Sequence, residues 1–461
     1  MAVFSLFSPQ VLAAATLLLP TCLAPITAWA ESDFDTPAAF AGKVSFSGPQ
    51  RGAIFAGGPV EITGDGFLPG QQIALRRGNT LLSDGLKADD KGVFSLGLTL
   101  PQDAAVGLHP VVIQTEKPDS AAVAELKVSP MVPLAGAESF DITQAKLADG
   151  VYQVAHSARN GTIFVAAASG RPPEGTSSII KLDATTLEVL AEVTPAADPV
   201  NGGVFGVFGV AVDDTNGTVW VSNTRQNTIA VYAQDNLSLI RQFEEGAVEK
   251  PRDLVIDVQR GRTYVSTHRN RIEEFDLKTM EKLAGFTLAS QQRGEQFMTM
   301  SLALDENAGQ LYTVSLRTPE FARIDLASGQ ATILPVPGAV TPSGVDVDPA
   351  TGRVFVASQG SDDLIALDGA SGKVLFDTPV GAGTLNVRFD PTGNRLFVAN
   401  RVSDTITVLD ATSGKVTANL DGGSFPNHLT VTPDGTVFAV NKARGKDDDK
   451  GNLLRRIAPK G

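Results

Sequence analysis

The chain has 461 residues and a formal net charge of −13, with 43% hydrophobic residues, 45 Gly and 27 Pro. It is too apolar for a disordered chain and long enough to bury a sizeable core, so two to four average domains, or one repeat array with a small module, are expected. So acidic a body argues against tight, non-specific nucleic-acid binding, and a single cysteine, Cys22, rules out a disulfide framework.

Residues 1–30 carry no charge, have an apolar centre from Val11 to Leu19 and end in Ala28-Trp29-Ala30. That is the pattern of a secretory signal, with cleavage expected after Ala30. Pro20 and Pro25 interrupt the run, which speaks against a membrane anchor. Cys22 lies inside this segment, so the mature chain is expected to carry no thiol, no iron–sulfur cluster and no c-type haem, and to be periplasmic or secreted. No cofactor and no metal are expected.

After a linker at 31–42, residues 43–130 show alternating runs such as "PVEITG", "QQIALRRG", "GVFSLGLTL" and "LHPVVIQT", broken by Gly, Pro and Asp. They predict a small all-β module. From 131 to 461 the chain repeats itself, with frames starting near Tyr152, Phe208, Arg252, Met298, Thr341, Thr384 and Pro426. A period in the forties with about four short strands per unit predicts a β-propeller of seven blades. The last unit, "NHLTV", "TVFAV" and "LLRRIA", is one strand short. Residues 138–147, "ESFDITQAKL", are expected to supply it and so close the ring without a bare sheet edge. The expected fold class is all-β, a seven-bladed propeller behind a small β-sandwich.

Two resemblances sharpen this reading. "GDGFLPGQQIAL" and "ADDKGVFSLGLTLPQDAAVGLHPV" resemble bacterial immunoglobulin-like domains of secreted proteins, which identifies a fold and not an activity. The tetrapeptides "WVSN", "YVST", "FVAS" and "FVAN" match YVTN-repeat propellers. Together with "VYQVAHSARNGTIFVAA", "IIKLDATTLEVL" and "FPNHLTVTPDGTVFAV", they make residues 140–461 similar to the periplasmic YncE-like proteins. That resemblance implies an exported seven-bladed propeller without an established reaction, of a kind in which some members bind single-stranded DNA.

Two aspartate series recur along the repeat: Asp213, Asp257, Asp305, Asp348 and Asp390, then Asp183, Asp276, Asp325, Asp368 and Asp410. Each stands at the start of a tight hairpin, where its carboxylate is expected to bond backbone two residues on. A catalytic carboxylate is needed once, whereas these recur nearly every unit. His156 and His428 fall toward opposite ends of neighbouring inner strands, too far apart to share a metal.

Cations recur too. The loop after the second strand carries Arg171, Arg225, Arg269 with Arg271, Arg317, Arg401, and Lys442 with Arg444 and Lys446; only "SQGSDD" in the fifth unit has none. In a meander of four strands these loops open on one face, and Arg252 in "KPRDL" belongs at the channel rim of that face. A guanidinium ring there would focus an anion. Phe205, Phe208, Phe297 and Phe425 are the candidate base-stacking residues. The expected function is a non-enzymatic binding or scaffold propeller that takes an anionic or extended ligand, with single-stranded DNA the named candidate. An envelope protein-interaction module is the first alternative. The second is a lactonase-like hydrolase built on Arg252, Asp253, Asn386, Asn427 and His428.

Overall fold

The computed structural model describes residues 38–170 and 175–460. The signal segment, its cleavage after Ala30 and Arg171 lie outside the described residues. The chain forms two compact units. One holds the described residues up to Lys43 with Asp65–Phe94 and Val112–Val123. In it Gln72–Arg77 pairs antiparallel with Thr80–Lys87 on one side and with residues 112–116 on the other. Ile73 and Leu75 are buried while their neighbours are not, the period-two pattern of a sheet with one covered face.

The larger unit holds Val44–Gly64, Ser95–Val111 and Ala124 onward. The chain is all-β: no α-helix occurs among the described residues, and none of its helical turns is long and apolar enough to cross a membrane. From Phe140 onward the described residues form seven four-stranded sheets. Their inner strands are Val151–Ser157, Gly209–Asp213, Pro251–Asp257, Thr299–Asp305, Pro342–Asp348, Thr384–Asp390 and Pro426–Val431. Each inner strand contacts the next and the seventh contacts the first, so the sheets close into a propeller ring.

The composition of the middle strands follows from this arrangement. A sheet packed on both faces needs apolar or small residues at successive positions, not alternate ones. Thr218–Asn223, "TVWVSN", is buried at every position, and Arg353–Ser358 and Arg395–Asn400 are buried at all but their first. Each hydrophobic cluster is shared between neighbours: Trp220, Ile229 and Val231 of the second sheet pack with Leu254, Val265 and Phe275 of the third. Phe355, Phe397 and Trp220 are fully buried, each contributing about 1.5–3 kcal/mol.

At the centre the constraint is polar. Each inner strand uses one edge for its own sheet, which leaves backbone groups on the other edge in need of partners. Side chains of the preceding inner strand supply them. Gln153 Oε1 accepts from the Val210 N–H at 3.2 Å, Asp253 Oδ2 from Leu302 at 2.9 Å, Asp346 Oδ2 from Phe389 at 2.7 Å and His428 Nδ1 from Val154 at 3.4 Å. Serine hydroxyls donate to carbonyls of the next inner strand: Ser222, from the second strand of its sheet, to Arg252 at 2.9 Å, and Ser301 to Ser343 at 2.7 Å and Ser343 to Leu385 at 2.8 Å from inner strands.

The recurring aspartates hold turns. Asp183 Oδ1 accepts from the N–H groups of Thr185 and Thr186, both at 2.8 Å, and Asp213, Asp276, Asp325 and Asp390 do the same two and three residues on. Backbone donors hold the carboxyls of Asp183, Asp276 and Asp325 below the ordinary range; at Asp368 and Asp410 the Ser371 and Ser413 hydroxyls lead, with backbone donors behind them. The seventh sheet takes strands from two distant parts of the chain. Phe140–Lys146 pairs antiparallel with Leu453–Pro459, from Phe140 opposite Pro459 to Lys146 opposite Leu453.

Two outcomes follow. Because the folded carboxyls titrate below their unfolded value of about 3.9, they stabilise the fold above that pH and the contribution is lost as pH falls through the folded values. A melting curve series should show Tm falling from pH 5 toward pH 2.5, and a flat profile would remove these turns from the acid response. Deleting 453–460 strips the buried Leu453, Leu454 and Ile457 and leaves Phe140–Lys146 without its partner. Calorimetry should show Tm lowered on the order of 10 °C in one transition for the whole ring; an unchanged Tm would show that the ring does not depend on this pairing.

Candidate anion-binding site

The second and third residues of five inner strands stand at one mouth of the ring. In the first strand they are Tyr152 and Gln153, in the third Arg252 and Asp253, in the sixth Leu385 and Asn386, and in the seventh Asn427 and His428; with Met300, Ser301 and Arg401 they line one cavity. Their backbone is closely placed. Ser222 Oγ accepts from the Gly209 N–H at 2.8 Å and donates to the Arg252 carbonyl, and a Cβ on Gly209 would sit 2.3 Å from that carbonyl oxygen. Glycine at 209 lets the third inner strand approach and sets where Arg252 begins.

Tyr152 is the point on which the cations converge. Arg252 Nη1 donates to its phenol oxygen at 2.7 Å, and the Arg252 and Lys442 charges lie 5.4 and 4.4 Å from its ring centre. Asn427 Nδ2 donates to the Tyr152 carbonyl at 2.6 Å while its Oδ1 accepts from Arg401 Nη1 at 3.2 Å. Arg225 donates to the Gly170 carbonyl at 2.8 Å and lies 5.2 Å over Phe208, whose ring meets Tyr152 edge-on at 5.2 Å. Among the ion pairs of the described residues, none gives Arg252, Arg401 or Lys442 a carboxylate.

The local field is strongly positive. Burial would raise the Tyr152 phenol, but Arg252, Lys442 and Arg401 outweigh it and hold the group below its ordinary value. Burial lowers Lys442, and of its charged neighbours Tyr152 opposes the drop while Arg401, Arg252 and Arg225 add to it. His268 is pushed down to about 4, by burial first and then by Arg252, Lys250 and Arg269.

Four other loop cations are ion-paired elsewhere, while Lys446 lines a surface groove beside Lys442. Arg269 pairs with Glu249 at 2.7 Å, Arg317 with Glu295 at 3.7 Å, Arg271 with Glu273 at 3.2 Å, and Arg444 with Asp404 at 2.6 Å. The fifth loop, without a cation of its own, receives Lys127, whose Nζ lies 2.6 Å from the buried Asp362 carboxylate. The sequence treats the loops as one ring of charge; the structure separates a cluster around Tyr152 from the ion-paired Arg269, Arg271, Arg317 and Arg444. Phe205, Phe208 and Phe297 are buried, so they present no ring for base stacking, and Phe425 lies under Arg401 and Arg444 at 5.4 and 4.4 Å.

The cavity under the cluster measures about 30 Å³, space for one or two ordered waters. Arg252, Asp253, Asn386, Asn427 and His428 all line it. Asp253 already accepts from Leu254, Leu302 and Gln153, and His428 from Val154. Burial, then Arg388, keeps the His428 imidazole well below its ordinary value and neutral. Asn386 Oδ1 has no partner among the described residues. No group of three or more His, Cys, Asp or Glu among the described residues is placed to hold a metal ion.

Tyr152 and Gln153 went unnoticed in the sequence as site residues. The usable signal was the contrast between columns of the repeat: Tyr152, Phe208, Arg252, Met300, Ser343, Leu385 and Asn427 share one position yet differ in chemistry, while the position two residues on stays apolar.

Comparison with known proteins supports a β-propeller. A family model described as outer membrane protein assembly factor BamB matches residues 303–446. Two proteins named uncharacterized protein YncE, from Salmonella typhimurium and Salmonella typhi, are each 25% identical over 317 residues, covering 65% of this chain and 85% of theirs. A solved chain of Kuenenia stuttgartiensis hydrazine synthase is similar with a TM-score of 0.52 at 17% identity, over 63% of this chain and 92% of that one, a likeness of fold alone.

The cation cluster is open to a direct spectroscopic check. The chain has four tyrosines, and burial raises the other three: Tyr232 to about 12, with Tyr264 and Tyr312 also above their ordinary value. An absorbance titration of tyrosinate should show one phenol ionising before the rest, and Arg252→Gln should delay that first step. A native titration with all four phenols ionising together would contradict the convergence of charge on Tyr152.

Proposed function

We propose that this chain is a non-enzymatic binding or scaffold protein of the cell envelope, a seven-bladed propeller with a small immunoglobulin-like module. It takes an anionic ligand on Arg252, Arg401 and Lys442 around Tyr152. The observation that carries this reading is the meeting of three cations at one phenol with no carboxylate partner in the described ion pairs. Like charges crowded in a half-buried place destabilise one another, and an anion relieves that cost. Guanidinium forks with an ammonium suit a carboxylate or a phosphate.

The hydrolase reading has less support. Asp253 and His428 hold backbone N–H groups of neighbouring strands, and a cavity of about 30 Å³ takes water rather than a sugar lactone. Single-stranded DNA stays the named candidate through the resemblance to YncE-like proteins, although the burial of three candidate stacking rings weighs against it. A protein-docking role draws support from the assembly-factor description of the model that matches residues 303–446.

The test is fluorescence anisotropy of labelled single-stranded DNA and of a labelled polyglutamate, titrated over a range of salt. Binding of either should weaken with salt and fall roughly tenfold or more when Arg252 and Arg401 are both changed to Gln. Arg269→Gln with Arg317→Gln, which removes the ion-paired cations, should leave it unchanged. Absence of binding by either probe at low salt would overturn the anion reading.

A further inference from the structure

We infer that the mouth of the ring takes the free C-terminal carboxylate of an acidic polypeptide, with the preceding residues running outward along a groove beside Lys442. This rests on the anion-site reading above and adds which end of which polymer is bound.

The groove is the first observation. It measures about 450 Å³ and is lined by Gly150, Gly170, Arg225, Lys442, Arg444 and Lys446 among others, with Asp149 the one carboxylate among the described lining residues. Lys442 is common to groove and cluster, since its ammonium sits over the Tyr152 ring. Lys442 thus links the groove to Arg252 and Arg401, to which the ion pairs of the described residues give no carboxylate.

The second observation is that the inner end is closed. Gln153, Asp253, Ser301, Asn386 and His428 line the cavity behind Tyr152 and are each no more than 8% exposed. Gln153 Nε2 donates to Asp253 Oδ1 at 3.2 Å, a bond that joins the first and third sheets past the second. A polymer cannot thread this floor. A terminus can reach Arg252 and Arg401 without threading it, and the crowded cations favour a negatively charged one.

The choice between a carboxylate and a terminal phosphate follows from size and surroundings. The cavity volume suits the two oxygens of a carboxylate in place of one or two waters. Two arginines beside it offer planar donors of the kind that pair with carboxylates. A nucleic acid would in addition need rings for its bases, and Phe208 and Phe425 are covered by Arg225 and by Arg401 with Arg444. The basic lining of the groove complements acidic side chains upstream of the terminus.

The experiment uses the full chain and a fluorescein-labelled peptide pool in which three Glu residues precede three randomised C-terminal positions. The pool is made once as free acids and once as C-terminal amides, and a 5′-phosphorylated single-stranded DNA serves as a third probe. The free acids should bind roughly tenfold or more tightly than the amides, and Lys442→Gln or Arg252→Gln should shrink that ratio toward one. The acid-to-amide ratio on the unaltered protein needs no variant, so a variant that misfolds does not spoil the test. Equal binding of acids and amides overturns terminus recognition. Binding of the DNA but of neither peptide form overturns the inference while the anion site stands. If no probe binds, the anion site falls with it.

Discussion

The ring depends on what becomes of the backbone at the inner edge of each sheet. A four-stranded meander that ends at the channel leaves an edge of N–H and C=O groups that water cannot fully serve once seven such edges crowd together. Gln153, Asp253, Asp346 and His428 satisfy N–H groups of the next strand, and Ser222, Ser301 and Ser343 satisfy carbonyls. Polar side chains near the axis are thus first a structural requirement. That is why carboxylates and imidazoles gathered in a propeller channel are weak grounds for catalysis. Asp253 and His428 look like a reactive pair in the sequence and behave as backbone partners in the fold.

The same requirement explains where binding chemistry can arise. Positions inside the sheets are held to apolar residues by packing on both faces, so Trp220, Phe355 and Phe397 occupy equivalent places and cannot diverge far. Positions at the mouth need only fit a neighbour and the channel. There the seven strands differ: a phenol in the first, a guanidinium in the third, an amide in the seventh. Asymmetry concentrated at one rim of a symmetric ring produces a single site, and the cluster around Tyr152 is built from strands one, three and seven with loops six and seven. Its field is one-sided on a body whose formal net charge is −13, so an anion meets attraction only along one approach.

Much of the fold was legible because its signals are local. Continuous apolar tetrapeptides such as the "FVAS" within Arg353–Ser358 mark strands buried on both faces, and Asp followed by Gly marks hairpins whose carboxylates indeed bond the turn backbone. The site was legible only in part. Arg225, Arg269 and Arg317 share an offset from an aromatic, which places them on equivalent loops but says nothing of their partners. Glu249 and Glu295, which pair with Arg269 and Arg317, come from the crossovers that precede the third and fourth inner strands. Tyr152 reads as one more strand aromatic until Arg252, a hundred residues away, is seen on its hydroxyl. Such pairings are set by closure of the ring, and closure is not a local property of sequence.

The strand that completes the seventh sheet has a consequence in time. A ribosome delivers Phe140–Lys146 early, and its partner arrives near the end of the chain; Gly150, just beyond it, bonds to Asn452, 302 residues later. At about 5–20 residues per second the early strand waits some tens of seconds with an edge unmade. Its sequence suits the wait. Between Phe140 and Lys146 it reads Asp141, Ile142, Thr143, Gln144 and Ala145, largely exposed even in the finished sheet. Such a strand offers a nascent neighbour little apolar surface to seize. The ring is completed only when Leu453–Pro459 pairs with this strand.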